Sequence, residues 1–271
     1  MARRSAPESA RGENEDQPLP LRGKVDWVCD RLEEEYGAME WRSHGEPLGA
    51  LVATILSQHT SDRNSERAYD NLRRRFPTWD AVREAEEGEI ADAIRAGGLA
   101  DAKAPRIKAV LQQIYERRGE TRLDFLAQMP TDEARAYLLG FHGVGPKTTA
   151  CVMMFSLCRP VLPVDTHVFR VSHRLGLIQK RIGEAKAHDA LERLVPPERV
   201  YPFHVHMIRH GRRVCHAQRP DCGRCVLRER CDFFSAAQDA AAGAATNAPA
   251  TAAARKRAPQ ERETLHGLPP V

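Results

Sequence analysis

The stretch from Ala134 to Leu177, ARAYLLGFHGVGPKTTACVMMFSLCRPVLPVDTHVFRVSHRLGL, constrains the fold more than any other part of the chain. Two apolar segments of helical character are joined there by Gly143-Val144-Gly145, a link so short that the helices must meet in a tight hairpin. Glycines in such a turn take positive φ and let another backbone come close. Pro146 suits the first position of the second helix, where its missing N–H is not needed. The free N–H groups of the turn and the positive end of that helix form a site for a phosphate oxygen. An ordinary tight helix–helix connection uses the same residues, and the hairpin alone does not separate the two readings.

Lys147 falls in the first turn of the second helix, where the helix dipole and desolvation favour a neutral, nucleophilic amine. Such an amine suits Schiff-base chemistry at a sugar carbon, whereas a lone lysine is by default a solvated one. Asp165 follows Leu162-Pro163-Val164 and precedes Thr166-His167-Val168, so it reads as a helix N-cap. A carboxylate held by that cap and facing a lysine could also stabilise a cationic sugar or move a proton.

The remaining chain is helical throughout. Val25, Val28, Cys29 and Leu32 share one face over 24–36, and Pro47 opens an apolar run, 48–56, that ends in the polar Ser57-Gln58-His59-Thr60-Ser61-Asp62. Further helices are expected over 64–76, 79–85, 88–95, 104–117, 188–194 and 201–214, with Thr131-Asp132-Glu133 capping the helix that enters the hairpin. Period-2 alternation is missing at any useful length, so the fold class is all-α. Residues 1–20 are charged and poor in large apolar groups, and 235–271 are Ala-rich with one basic cluster at Arg255-Lys256-Arg257; both are expected as disordered arms.

Four of the seven cysteines are clustered: Cys215, Cys222, Cys225 and Cys231 give C-x6-C-x2-C-x5-C. Four thiolates so spaced wrap one tetrahedral or cubane centre, with zinc as the alternative to iron on chemistry alone. Cys29, Cys151 and Cys158 read as buried thiols of apolar helices. Arg219, in the loop after Cys215, and Arg209, Arg212 and Arg213 before it are candidate phosphate contacts or a solvated basic face. No apolar run of about 18 residues and no signal-peptide core is present, which leads to the expectation of a soluble, cytoplasmic protein. A net charge of +4 permits nucleic-acid binding without requiring it.

Gly143-Val144-Gly145-Pro146-Lys147-Thr148, followed by Val164-Asp165-Thr166-His167 and by the cysteine spacing, closely resembles the endonuclease III branch of the helix-hairpin-helix DNA glycosylases over about 25–231. The resemblance implies two helical domains flanking a DNA-binding cleft: a helical barrel with the hairpin, 46–161, and a discontinuous iron–sulfur domain, 21–45 plus 162–234. It implies a monomer acting on double-stranded DNA with damaged bases or abasic sites, with no membrane partner. Lys147 falls on the family's catalytic lysine and Asp165 on its catalytic aspartate; Gly143, Val144 and Gly145 fall on its backbone-binding hairpin, and the four cysteines on its 4Fe-4S ligands. The lysine implies a bifunctional enzyme that removes oxidised pyrimidines and cleaves abasic sites by β-elimination.

Two loops of the family enter the gap left by a flipped base, and here they match Gly98-Leu99 and the 57–62 segment. His59 stands where the family usually has glutamine, so either His59 or the neighbouring Gln58 is expected to fill that gap. Leu139, four residues before Gly143, replaces a glutamate of the lesion pocket, which implies altered or weak base specificity. The alternatives are a relative acting mainly as an abasic-site lyase and a non-catalytic protein that binds DNA lesions.

Overall fold

The computed structural model describes residues 19–179 and 181–246, which form α-helices joined by short 3-10 turns, with no strand among them. In chain order the helices are α1 (Leu19–Tyr36), α2 (Pro47–Leu56), α3 (Asp62–Arg75), α4 (Trp79–Glu84), α5 (Glu87–Ile94), α6 (Ala100–Arg118), α7 (Thr131–Leu139), α8 (Pro146–Cys151), α9 (Thr166–Arg174), α10 (Glu184–Leu194), α11 (Val200–Arg213) and α12 (Asp232–Thr246). Side-chain caps start several of them: Ser61 Oγ accepts from the Asn64 N–H, and Thr78 Oγ1 from that of Ala81.

The apolar faces close two cores. One gathers Leu51 and Ile55 of α2, Leu72 of α3, Ile90 and Ile94 of α5, Ile107 and Leu111 of α6, and Leu138 of α7. The other joins Val25, Val28 and Leu32 of α1 to Val168 and Val171 of α9, Leu191 of α10 and Phe203 and Met207 of α11. α2 is buried on nearly all sides, which its sequence PLGALVATIL requires. Truncating Leu51 or Ile55 to alanine there costs about 2–5 kcal/mol.

The chain passes between the cores in a single π-helical turn, Val152–Ser156, that continues α8. Met153 packs into the first core and Met154 into the second. A π turn leaves carbonyls poorly served by their own helix. The segment before α2 supplies the missing donors: Trp41 Nε1 donates to Met154 O at 2.9 Å, the His44 N–H to Phe155 O at 2.7 Å, and Ser43 Oγ to Ser156 O at 2.8 Å.

Three expectations are corrected. The N-cap of α7 is Pro130, with no side-chain cap, and Thr131 Oγ1 instead accepts from Arg159 Nη1 at 3.1 Å. Cys29 and Cys151 are buried, but Cys158 is exposed with φ 50°, because the helix ends at the π turn and Cys158 takes the left-handed position just beyond it. The Ala-rich tail is helical as far as Thr246, in keeping with alanine's helix propensity. Residues 1–18 and 247–271, with Arg255-Lys256-Arg257, lie outside the described residues.

Candidate nucleic-acid interface and active site

The hairpin is built as a bare backbone turn on a buried anchor. Val144 is buried in the first core and its N–H donates to Phe141 O at 3.1 Å, while the His142 N–H is held by Gln113 Oε1 at 3.0 Å. Gly143 has φ 81°, and a Cβ there would stand 2.9 Å from Arg106 Nε, so only glycine serves. Gly145 is different: it is the extended N-cap of α8, and a Cβ on it would meet nothing within 4 Å. Its missing side chain therefore leaves room for a partner from outside. Gly145→Ala, which puts a poorer N-cap residue there, is expected to cost at most about 1 kcal/mol while weakening binding to a duplex severalfold, read by thermal unfolding and by titration of a duplex.

Lys147, on the first turn of α8, and Asp165, at the start of α9, share two buried neighbours, Cys151 and His204, at the seam where the two cores adjoin. Both are half-buried, and both act on the buried Cys151 thiol. Burial pushes that thiol's pKa up, Lys147 opposes the rise through charge and a hydrogen bond, and Asp165 adds to it. Asp165 Oδ1 accepts from the Val168 N–H at 2.7 Å, so one carboxylate oxygen is the N-cap and Oδ2 is left for other work.

The backbone leading into Asp165 is pinned by groups from the second core. His188 Nδ1 lies 3.0 Å from Leu162 O and His204 Nδ1 2.8 Å from Pro163 O; a carbonyl only accepts, so both rings carry the proton on Nδ1. Glu192, paired with Arg135 of α7, accepts the Leu162 N–H at 3.2 Å. Burial pushes His204 down to about 4, against an opposing pull from Asp165, so the ring beside Lys147 and Asp165 is neutral at pH 7. Neither histidine stood out in the sequence, where a lone His on an apolar helix has no visible partner.

Two loops each turn outward through a left-handed residue. His59, at the end of α2, is exposed with φ 54°. Gly98, with φ 67° and ψ 159°, occupies a region essentially closed to other residues, and Leu99 follows in the left-handed conformation with 58% of its surface exposed. A leucine held so costs about 1–3 kcal/mol, which the surrounding structure must offset. Gln58 points back instead: its Oε1 accepts from Arg106 Nη1 at 2.8 Å. Leu139 lies at the C-terminal end of α7, exposed despite its size.

Arg219, like His59, Leu99 and Cys158, is an exposed left-handed residue, φ 49°, and among the described residues it makes no hydrogen bond or ion pair. Arg212 is engaged across the seam, gripping both Asp62 oxygens, and Arg209 reaches Tyr36 O.

Cys215, Cys222, Cys225 and Cys231 are free thiols that line one small cavity with Val214, Pro220 and Phe233. Their charges act on one another: burial first, then neighbouring thiols, push Cys222 and Cys231 up and Cys225 to about 11. Arg174 Nη1 donates to Cys215 Sγ at 3.2 Å, and His210 Nε2 lies 3.3 Å from Cys225 Sγ. Four thiols with cationic and N–H donors around them suit a thiolate-bound centre. Among the described residues no three His, Cys, Asp or Glu groups converge closely enough to hold a single metal ion.

Residues 52–197 match the HhH-GPD superfamily of base excision DNA repair proteins. The chain is 34% identical over 195 residues to endonuclease III of Thermotoga maritima, covering 71% of this chain and 87% of that protein. It is 41% identical over 165 residues to the "Putative DNA glycosylase" of Arabidopsis thaliana, of which it spans 56%. Among solved structures, a non-covalent endonuclease III–DNA complex superposes with a TM-score of 0.68 and 26% identity, over 80% of this chain and 98% of that one. A thermostable thymine-DNA glycosylase shares the fold at a TM-score of 0.67 and 21% identity.

Proposed function

Because the chain belongs to the HhH-GPD superfamily of base excision DNA repair proteins, we propose that it is an endonuclease III-type DNA glycosylase and abasic-site lyase. The observation that carries this reading is that Lys147 and Asp165 both act on the same buried Cys151 thiol and His204 ring, with Lys147 one turn beyond a bare glycine hairpin. The hairpin N–H groups and Arg219 take the phosphate backbone, and the duplex lies over the seam between the domains 46–161 and 21–45 plus 162–234. Leu99 and His59 fill the space of the flipped nucleotide, His59 rather than Gln58 because Gln58 is tied to Arg106.

The deprotonated Lys147 amine attacks the sugar C1′ as the C1′–N bond to the base breaks, and Asp165 stabilises the positive charge that grows on the sugar. Loss of the amine proton and opening of the ring leave an imine to Lys147. The imine acidifies C2′–H, and removal of that proton expels the 3′ phosphate oxygen, which cuts the strand. Oxidised pyrimidines are the proposed substrates, with the apolar Leu139 narrowing the set or weakening base release relative to nicking. Relatives with the name endonuclease III support base excision with abasic-site cleavage as the reaction class.

Cys215, Cys222, Cys225 and Cys231 would hold a 4Fe-4S cluster, supported by their shared cavity, their mutual influence and the donors from Arg174 and His210. When bound, the cluster would lock the 215–231 loop, contributing folding free energy as structural metal sites do. Its presence is checked by iron and sulfide analysis, for which about four of each per chain are expected; zinc in their place would contradict the assignment.

The function is tested with a set of duplexes, each carrying one damaged base or an abasic site, scored separately for base release and for nicking. Release of oxidised pyrimidines with coupled nicking is expected. Nicking at abasic sites with no release from any damaged base would favour the lyase-only relative that Leu139 suggests, and binding with neither reaction would favour the non-catalytic one.

A further inference from the structure

The two outward-turned loops, which stand far apart in sequence, share one buried cation. Lys103 sits on the first turn of α6 and is 5% exposed. Its Nζ donates to Leu56 O at 2.7 Å and to Gly97 O at 2.9 Å, and among the described residues it has no carboxylate partner. Leu56 is the last residue of α2, and its carbonyl is one of those a helix leaves without an internal partner, at the negative end of the helix dipole. His59 follows three residues later and Leu99 two residues after Gly97. One ammonium thus anchors the roots of both loops.

A buried ammonium is costly unless hydrogen-bonded and countered by negative charge. Burial alone lowers the pKa of Lys103, and the two carbonyls are its only compensation among the described residues. A methionine of similar length would fill the same space without that cost, so packing does not account for the choice. Arg106, three residues further along α6 and off this buried face, holds Gln58 Oε1 and packs on Gly143. α6 therefore fixes the 57–62 loop, the 97–99 loop and the hairpin relative to one another.

We infer that Lys103 is a positioning residue that sets the register between Leu99 and His59, so that the two tips enter the duplex together. This rests on the proposed role of those loops in extruding a nucleotide. It follows that Lys103 matters only when a duplex must be opened. A single-stranded abasic site has no stack to fill and no opposite base to meet, so it should not need the clamp.

The test compares nicking of an abasic site in duplex and in single-stranded DNA, at saturating enzyme, for wild type, Lys103→Met and Leu99→Ala. Lys103→Met is expected to lower the duplex-to-single-strand rate ratio roughly tenfold, the size of effect that sub-ångström to ångström misplacement brings, with the single-strand rate unchanged. Combining it with Leu99→Ala should add little further, because both act through the same insertion. Lys103→Gln, which keeps an amide donor under the loops, serves if Lys103→Met does not fold, and its ratio should also fall. A wild-type ratio in either folded variant, while Leu99→Ala lowers it, overturns the inference and leaves the loop roles standing. An equal loss on both substrates marks a general structural role and overturns it too. If Leu99→Ala changes nothing, or wild type nicks neither substrate, the underlying functional reading fails and the inference with it.

Discussion

Lys147→Ala is expected to bind an abasic-site duplex within a fewfold of wild type yet nick it slower by about 10³-fold or more, because removing a nucleophile removes the covalent route itself. The amine lies on the first turn of α8, beside the seam, and its electrostatic neighbours are the Cys151 thiol and the neutral His204 ring. Neither replaces it: the thiol is buried with a raised pKa, and His204 spends its Nδ1 proton on Pro163 O. Binding survives because the hairpin N–H groups on offer belong to the backbone of Gly143 and Gly145, which the substitution does not touch, the Val144 N–H being held by Phe141 O. Single-turnover nicking and a duplex titration check the two halves of the statement separately.

Asp165→Asn separates chemistry from folding. Asparagine is as good an N-cap as aspartate, and its side-chain oxygen still accepts the Val168 N–H, so stability should change little. What disappears is the negative charge that acts on Cys151 and His204 and that the proposed mechanism sets against the sugar cation. Base release is expected to fall by about 10²–10⁴-fold, the usual weight of a positioned acid–base or charge-stabilising group. Asp165→Ala should show the same catalytic loss together with about 1 kcal/mol of lost cap. If Asp165→Asn instead keeps full base release, the carboxylate is a cap only.

Features written in local pattern were legible before any coordinates. The glycine hairpin, the proline that starts α8, the Asp165 cap and the apolar faces of α2 and α6 each follow from neighbours within a turn or two. The backbone of the two loops was not legible. Positive φ at Leu99 contradicts its intrinsic preference and is imposed by the surrounding structure, and at His59 it is a conformation that histidine tolerates but its sequence does not announce. The choice between Gln58 and His59 was likewise invisible, because it turns on Arg106, 48 residues away from Gln58.

Lys103, His188 and His204 were passed over for a related reason. Each looks like an ordinary polar residue on a helix until the fold sets it against a carbonyl that lacks a partner. A lysine within the otherwise apolar face of α6, one turn before Ile107, is the single hint that the sequence offered. The tail was misjudged for the opposite reason: its composition suggested disorder, although alanine runs also favour helix and α12 reaches Thr246.

In the proposed mechanism Lys147 forms the covalent link to DNA. Borohydride reduces an imine to a stable amine, so wild-type protein mixed with an abasic-site duplex and borohydride should yield a cross-linked species whose DNA maps, by peptide mass analysis, to Lys147. No adduct from wild type, an adduct on another lysine, or equal trapping by Lys147→Ala would contradict the account.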